Sequence, residues 1–387
     1  MHTLRVLDSI DRIAADDWDA CLAADEARAS PFVRHAFLSA LEGSGCASSR
    51  RGWQPAHLAM FRGAELVAAA PAYVKGDSEG DFSRDWEWAA AARRAGIQIH
   101  PKLVVAVPFT PVTGARLLVR PDQDRAEAVA ALAQGAREIA ADLGLGSIEV
   151  LYATERDVGD LEEHGFLARR DFQYHWRNEG YREPEDFLAR FPSKRRNALR
   201  RERAAPAHQG IAIRTVRGDE LARGPEEWAD VCFELHDAST SRMEWGMRWV
   251  NRAFYRRVLR GMPERIEVVE ARRDGRVIAM AFNFATPERL YGRYWGAREE
   301  HPFLHFNVAL YHSIDECIRR GVQVFEGGAG GEHKLARGFL PAFTHGAHWF
   351  ADRRLAAGMG RVLAEERRQR EAALRRFEEA SPIFKRP

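Results

Sequence analysis

The chain has 387 residues, of which 45% are hydrophobic and 10% aromatic. This is about two domains' worth of material with ample core-forming residues, and it excludes overall disorder. Fifty-eight basic residues against 56 acidic ones leave a net charge of +2, too balanced to argue for DNA or other nucleic acid by global charge. Cys21, Cys46, Cys232 and Cys317 stand far apart with no CxxC or Cys/His spacing. That spacing speaks against a zinc site or a disulfide framework and fits a reducing compartment.

The opening residues, Met1 to Trp18, carry acids where a secretory signal needs a basic and then an apolar run. No apolar stretch of 18 residues exists, so no membrane insertion is expected and the cytoplasm is the expected location. Ser30-Pro31 reads as an N-cap with proline at the first helical position, opening a helix through Phe37, Leu38 and Leu41. His57 to Val74 reads as a hairpin turning near Arg62-Gly63, and Lys102 to Val107 and Ala115 to Val119 read as strands. Asp124 to Leu143 is an amphipathic helix stopped by Gly144, followed by a strand from Ile148 to Leu151.

The pattern then repeats. Pro225 opens a helix with Trp228, Val231, Cys232 and Leu235 on one face, and Ile266 to Phe284 is a hairpin turning at Asp274-Gly275. Asn307 caps a helix that ends at Gly321. Four landmarks recur in the same order. Leu4 to Leu7 leads into Asp16-Asp17-Trp18 and Cys21, as Ile211 to Val216 leads into Glu226-Glu227-Trp228 and Cys232. The two hairpins follow, and Gly165-Phe166-Leu167 before His175-Trp176 matches Gly338-Phe339-Leu340 before His348-Trp349. These imply a duplicated α+β module, α/β mixed, each copy a mainly antiparallel mixed sheet flanked by helices. The expected division is residues 1–177, a basic helical connector over 178–209, residues 210–353, and a charged C-terminal helix over 354–387.

Five stretches can carry chemistry. The segment from Val322 to Phe350 opens as a buried strand and breaks into Gly327, Gly328, Gly330 and Gly331. It then presents Glu332, His333, Lys334 and Arg337. The same pattern also describes a tight turn before a solvated helix, with Arg337 paired to Glu332. In the first half, Asp85-Trp86-Glu87-Trp88 and His100-Pro101-Lys102 set aromatics beside acids, which suits a sugar, peptide or amine acceptor. An amphipathic edge with tryptophans in the core would read the same way. Thr110 and Thr113 could hydrogen-bond an acceptor backbone. Asn307, with His301 and His305, precedes a helix N-terminus that favours an anion over a metal. Between the halves, Lys194 to Arg203 holds six basic residues and one acid. Lys194, Arg195, Arg196 and Arg200 are phosphate or polyanion candidates there, a solvated helical face being the alternative.

Ser30 to Gly45, Gly52 to Met60, His100 to Leu118 and Phe325 to Pro341 together resemble the FemAB-like family, and the likeness spans nearly the whole chain. It implies two tandem GNAT-type domains and an N-acyltransferase or aminoacyltransferase, with acyl-CoA or aminoacyl-tRNA as donor and no resident cofactor. The implied acceptor is an amine, such as the peptide of a cell-wall precursor. The basic stretch resembles the K-x-R-N-x-x-R helix of the wider Fem transferases, and Lys334 matches the lysine of their Lys-x-x-x-Gly-Phe-like element. That match implies Lys334 for charge stabilisation or carboxylate binding, with Glu332 or His333 as base. Asp85, Glu87, Trp88, Lys102, Thr110, Arg337 and Asn307 are then the candidates for substrate contact. The Arg/Gln-x-x-Gly-x-Gly/Ala loop that holds pyrophosphate in acetyl-CoA-using GNAT domains is missing from Val119 to Ala128 and from Gly296 to Asn307. A non-catalytic protein binding peptidoglycan precursors or nucleotide-linked ligands, and an RNA-binding adaptor acting through Lys194 to Arg203, are the other readings.

Overall fold

Strands β1 (His2–Leu7), β3 (His57–Arg62), β4 (Glu65–Ala70) and β7 (Leu118–Val119) form one antiparallel sheet, in the order β1-β3-β4-β7. The computed structural model describes residues 2–22, 29–242, 247–380 and 383–385, without the side chains of Glu332, Glu378 and Ala380. The chain divides into two units, Met1–Phe172 with Phe343–Ala373, and Gln173–Ala342 with Leu374–Pro387.

Unit 1 has a second sheet built from β2 (Gln54–Pro55), β5 (Ala72–Lys75), β6 (Lys102–Val105), β8 (Ser147–Ala153) and part of β15 (Leu340–Phe350). The β6–β8 pair is parallel and the others antiparallel. Period-2 alternation gives this sheet two unlike faces. Leu103, Val105, Ile148, Val150 and Ala347 join Val129, Leu132, Ala136 and Ile139 of the helix Arg125–Asp142 in the main apolar core. That helix starts where the sequence puts it, because the Asp124 carboxylate accepts from the backbone N–H groups of Ala126 and Glu127. Lys75, Lys102, Glu149 and His348 point to the opposite face and are buried all the same.

In unit 2 the order is β10 (Ala212–Arg217), β11 (Ile266–Arg273), β12 (Arg276–Ala285), β13 (Arg289–Ala297), β14 (Val324–Glu326) and the end of β9 (Leu167–Arg177). Only β13–β14 is parallel. The β11–β12 turn has Asp274 at φ +50° and Gly275 at +75°, the paired positive φ values of a type I′ turn. Thus unit 1 has two mainly antiparallel sheets and unit 2 has one, each unit with a single parallel step and flanking helices.

Three boundaries differ from expectation. Residues 173–177 pair with β14 in unit 2, whereas 343–350 pair with β8 in unit 1. The stretch expected to be a connector is an integral part of unit 2, since Phe187, Leu188, Phe191 and Leu199 lie in its core. Ser30 makes no side-chain cap, and the helix begins later, at His35, after a 3-10 turn over Pro31–Val33.

One close approach sets the packing of unit 2. A Cβ on Gly296 of β13 would lie 2.2 Å from the Leu235 carbonyl carbon in the helix Pro225–Thr240. A Gly296→Ala protein is therefore expected to lose about 1–3 kcal/mol in urea denaturation, since the backbone must shift to admit a methyl group. Unchanged stability would mean that the helix does not sit against that strand.

Candidate active site

In unit 2, β14 ends in glycines because the backbone there turns left-handed: φ is +82° at Gly328, +74° at Gly330 and +93° at Gly331. These values strain any side-chain-bearing residue. A 3-10 turn, Glu332–Arg337, follows, rather than the helix suggested by the spacing. The turn folds Lys334 back into the bend. Its Nζ donates to the carbonyls of Gly328 at 2.7 Å and Gly330 at 2.8 Å, and the side chain is only 5% exposed. An ammonium has three hydrogens to donate, and the third has no hydrogen-bond partner among the described residues. Burial, aided by the Arg293 charge, pulls the Lys334 pKa down to about 8. The group is thus a buried cation close to its titration point, an arrangement typical of sites that handle charge.

His333 is exposed, with its ring 5.6 Å from that of Phe306. Burial, then the charges of Lys334 and Arg337, lower its pKa, so it is a neutral proton acceptor at pH 7. The Glu332 side chain, the other base candidate, lies outside the described residues.

The remaining unit 2 candidates are tied into the fold. Arg337 pairs with Glu202 at 3.0 Å and stacks on Phe306 at 3.4 Å, where the spacing suggested Glu332 as its partner. Tyr311 also donates to Glu202, and Arg195 pairs with it at 3.0 Å while donating to the Ala336 carbonyl at 2.7 Å. Arg337 therefore anchors the turn instead of binding substrate. Asn307 donates to the carbonyls of Glu202 and Phe303 and opens a π-helical turn, so it too is structural and caps nothing. Along the helix Ser193–His208 the basic excess is largely met from within. Arg200 pairs with Glu185, Arg203 with Asp315, and Arg196 reaches Ser193 at 3.4 Å. Lys194 stays exposed. As a polyanion site the stretch loses Arg195 and Arg200 to internal ion pairs.

In unit 1 the structure brings Asp85 and Lys102 together, with Asp81 and Glu149. Lys102 Nζ donates to Asp85 at 2.9 Å, Glu149 at 3.0 Å and Ser78 at 2.9 Å. Asp81 Oδ2 lies 2.9 Å away but outside hydrogen-bonding angles, so it acts on the ammonium as a charge. Burial works against the Lys102 cation, but the three carboxylates outweigh it and hold its pKa above the usual range. Burial pushes the Glu149 carboxyl up to about 8, with the Lys102 charge opposing. Trp88 is buried beneath Arg169, whose guanidinium lies 4.1 Å above its ring, while Glu87 is exposed. The Thr110 hydroxyl donates to the Pro108 carbonyl and serves the bend. As substrate contacts, therefore, Asp85, Trp88, Lys102 and Thr110 are internal. Sequence reasoning missed Glu149, Asp81, Lys75 and His348. The signal was a single polar residue alternating with apolar ones, as in Ser147-Ile-Glu-Val-Leu.

The fold resembles those of known proteins. The structure of FemX covers 90% of this chain and 98% of its own, with a TM-score of 0.53 at 11% identity. The C-terminal DUF2156 domain of a putative lysylphosphatidylglycerol synthetase from Agrobacterium fabrum covers 91% and 96%, at 0.52 and 13%. A tandem GNAT protein from the clavulanic acid biosynthesis pathway covers 91% and 99%, at 0.44 and 16%. No curated protein matches the chain significantly. Among the described residues, no helix is long and apolar enough to cross a membrane, and no group of His, Cys, Asp and Glu could hold a metal ion. The FemAB-like model, described as peptidoglycan biosynthesis/recognition, matches residues 9–386, and the chain belongs to that family.

Proposed function

We propose that the protein is an acyl- or aminoacyltransferase acting on an amine of a cell-wall precursor peptide, with the glycine bend of unit 2 as its reacting centre. The observation that carries this reading is the Lys334 ammonium. It is buried, held by two glycine carbonyls, and has a third hydrogen with no partner among the described residues. In acyl transfer the amine nitrogen bonds to the donor's carbonyl carbon, and negative charge gathers on the carbonyl oxygen. Collapse then breaks the bond to the departing oxygen of an aminoacyl-tRNA ester or sulfur of a CoA thioester. A fixed cation with a free hydrogen stabilises that oxyanion without reorganising. The amine's proton needs an acceptor, and His333, neutral at pH 7, supplies one. Neither a covalent enzyme intermediate nor a resident cofactor enters the scheme.

Transfer itself is the test. The full chain is incubated with aminoacyl-tRNA or acyl-CoA donors and a lysine-bearing precursor peptide, and the peptide is followed by mass spectrometry. A mass gain equal to the donor's acyl group is expected with one donor class. Equilibrium binding of the peptide with no mass gain across both classes would overturn catalysis in favour of recognition.

A further inference from the structure

Unit 1 has a small open cleft of about 40 Å³, lined in part by Ser83, Tyr152, Arg169, Asp171, Thr344 and His348. It forms where the pairing of β15 with β8 slips between His345 and Gly346, leaving Tyr152 out of register at φ +52°. His348 sits at its inner wall, directly across the strand pair from Glu149. It is fully buried, and neither ring nitrogen has a hydrogen-bond partner among the described residues. Its ring contacts are apolar or edge-on, with Trp88 at 5.1 Å and Phe350 at 6.5 Å. An unmet buried polar group costs about 1–3 kcal/mol.

The charges around the cleft are specific. Arg169 reaches Glu366 at 3.2 Å, and Asp171 is shared by Arg84 and Arg370, each at 3.3 Å. Of these, Arg169 and Asp171 line the cleft itself. Behind His348, Lys102 is held among Asp81, Asp85 and Glu149. Burial, then Arg169 and Lys102, keep the imidazole neutral with one N–H to give.

We propose that this cleft binds a carboxylate, with His348 donating to it and the guanidinium of Arg169 opposite its charge. A carboxylate's two oxygens match an imidazole N–H and a planar guanidinium. The hydroxyls of Thr344 and Tyr152 stand at the same opening. The site lies wholly within unit 1 and is separate from the glycine bend, so it stands whether or not Lys334 supports transfer.

The probe is N-acetylglycinate, compared with its neutral amide and with inorganic phosphate, titrated into full-length protein carrying ¹³C-labelled histidine. The carboxylate is expected to shift the His348 resonance saturably and raise the imidazole's pKa, because an adjacent anion favours the imidazolium. Phosphate and the amide should leave it in place. His348→Gln should weaken binding at least tenfold, and Thr344→Val at the rim should weaken it without threatening the core. Lys334→Ala should bind as wild type does, which separates this result from the transferase reading. No saturable shift, equal binding of the amide, or undiminished binding by both cleft variants would overturn the proposal.

Discussion

Lys334→Ala protein is expected to transfer acyl groups about 10²–10³-fold more slowly than wild type, a loss of about 2.7–4 kcal/mol of transition-state stabilisation. Its far-UV circular dichroism should be unchanged. The magnitude follows from removing the one cation that faces the reacting carbonyl in the proposed scheme. Because Lys334 also ties down Gly328 and Gly330, a purely structural role would lower activity too. The pH profile separates the two. If the ammonium is the active form, wild-type kcat/KM should fall as pH rises through about 8, the point at which burial makes Lys334 release its proton. On the acid side the rate should drop below the ordinary histidine range, as His333 gains a proton. Lys334→Arg should recover part of the rate and lose the alkaline fall, since a guanidinium stays charged throughout. An alkaline limb that persists in Lys334→Arg would assign it to another group.

The second large effect is on stability. Lys102→Met keeps the length of the side chain but leaves Asp81, Asp85 and Glu149 facing one another without a cation. Breaking a buried pair in this way costs about 3–5 kcal/mol. The deficit should depend on pH with a definite sign. Without the ammonium, burial raises the folded-state pKa of the Asp85 carboxyl, whose main opposing charge is gone. A group raised in this way contributes stability that is present at low pH and lost as pH rises through its folded pKa. Denaturation midpoints should therefore differ more between variant and wild type at pH 8 than at pH 5. Equal midpoints at both pH values would show that the carboxylates do not depend on Lys102.

Much of the candidate site was legible in the sequence, and the residues that were not share a cause. Glycines followed by Lys334 mark a bend that places a cation, since left-handed φ and a returning side chain are both local. Asp85 and Lys102 were grouped from composition alone, and the fold brings them to 2.9 Å. Their role, however, is internal charge compensation, because Glu149 and Asp81 arrive from elsewhere and close the cage. Arg337 went to Glu202, from 135 positions away. A helical i,i+4 or i,i+5 neighbour is the natural guess from spacing, and a 3-10 turn packed against Ser193–His208 overrules it. The basic stretch looked like an anion site because its acids, Glu185 and Asp315, lie outside the run.

What the sequence determined by itself is the duplicated order of elements, the two hairpins, the amphipathic helix after Asp124 and the glycine bend. All of these rest on side-chain period, turn chemistry and capping within a few residues. Only the tertiary structure decided that residues 173–177 are built into unit 2 and 343–350 into unit 1. Alternation along a strand fixes which face is buried but says nothing of which neighbour it pairs with. The same limit hid His348: a histidine in an apolar strand gains its meaning from the cleft and the charges that other strands place beside it.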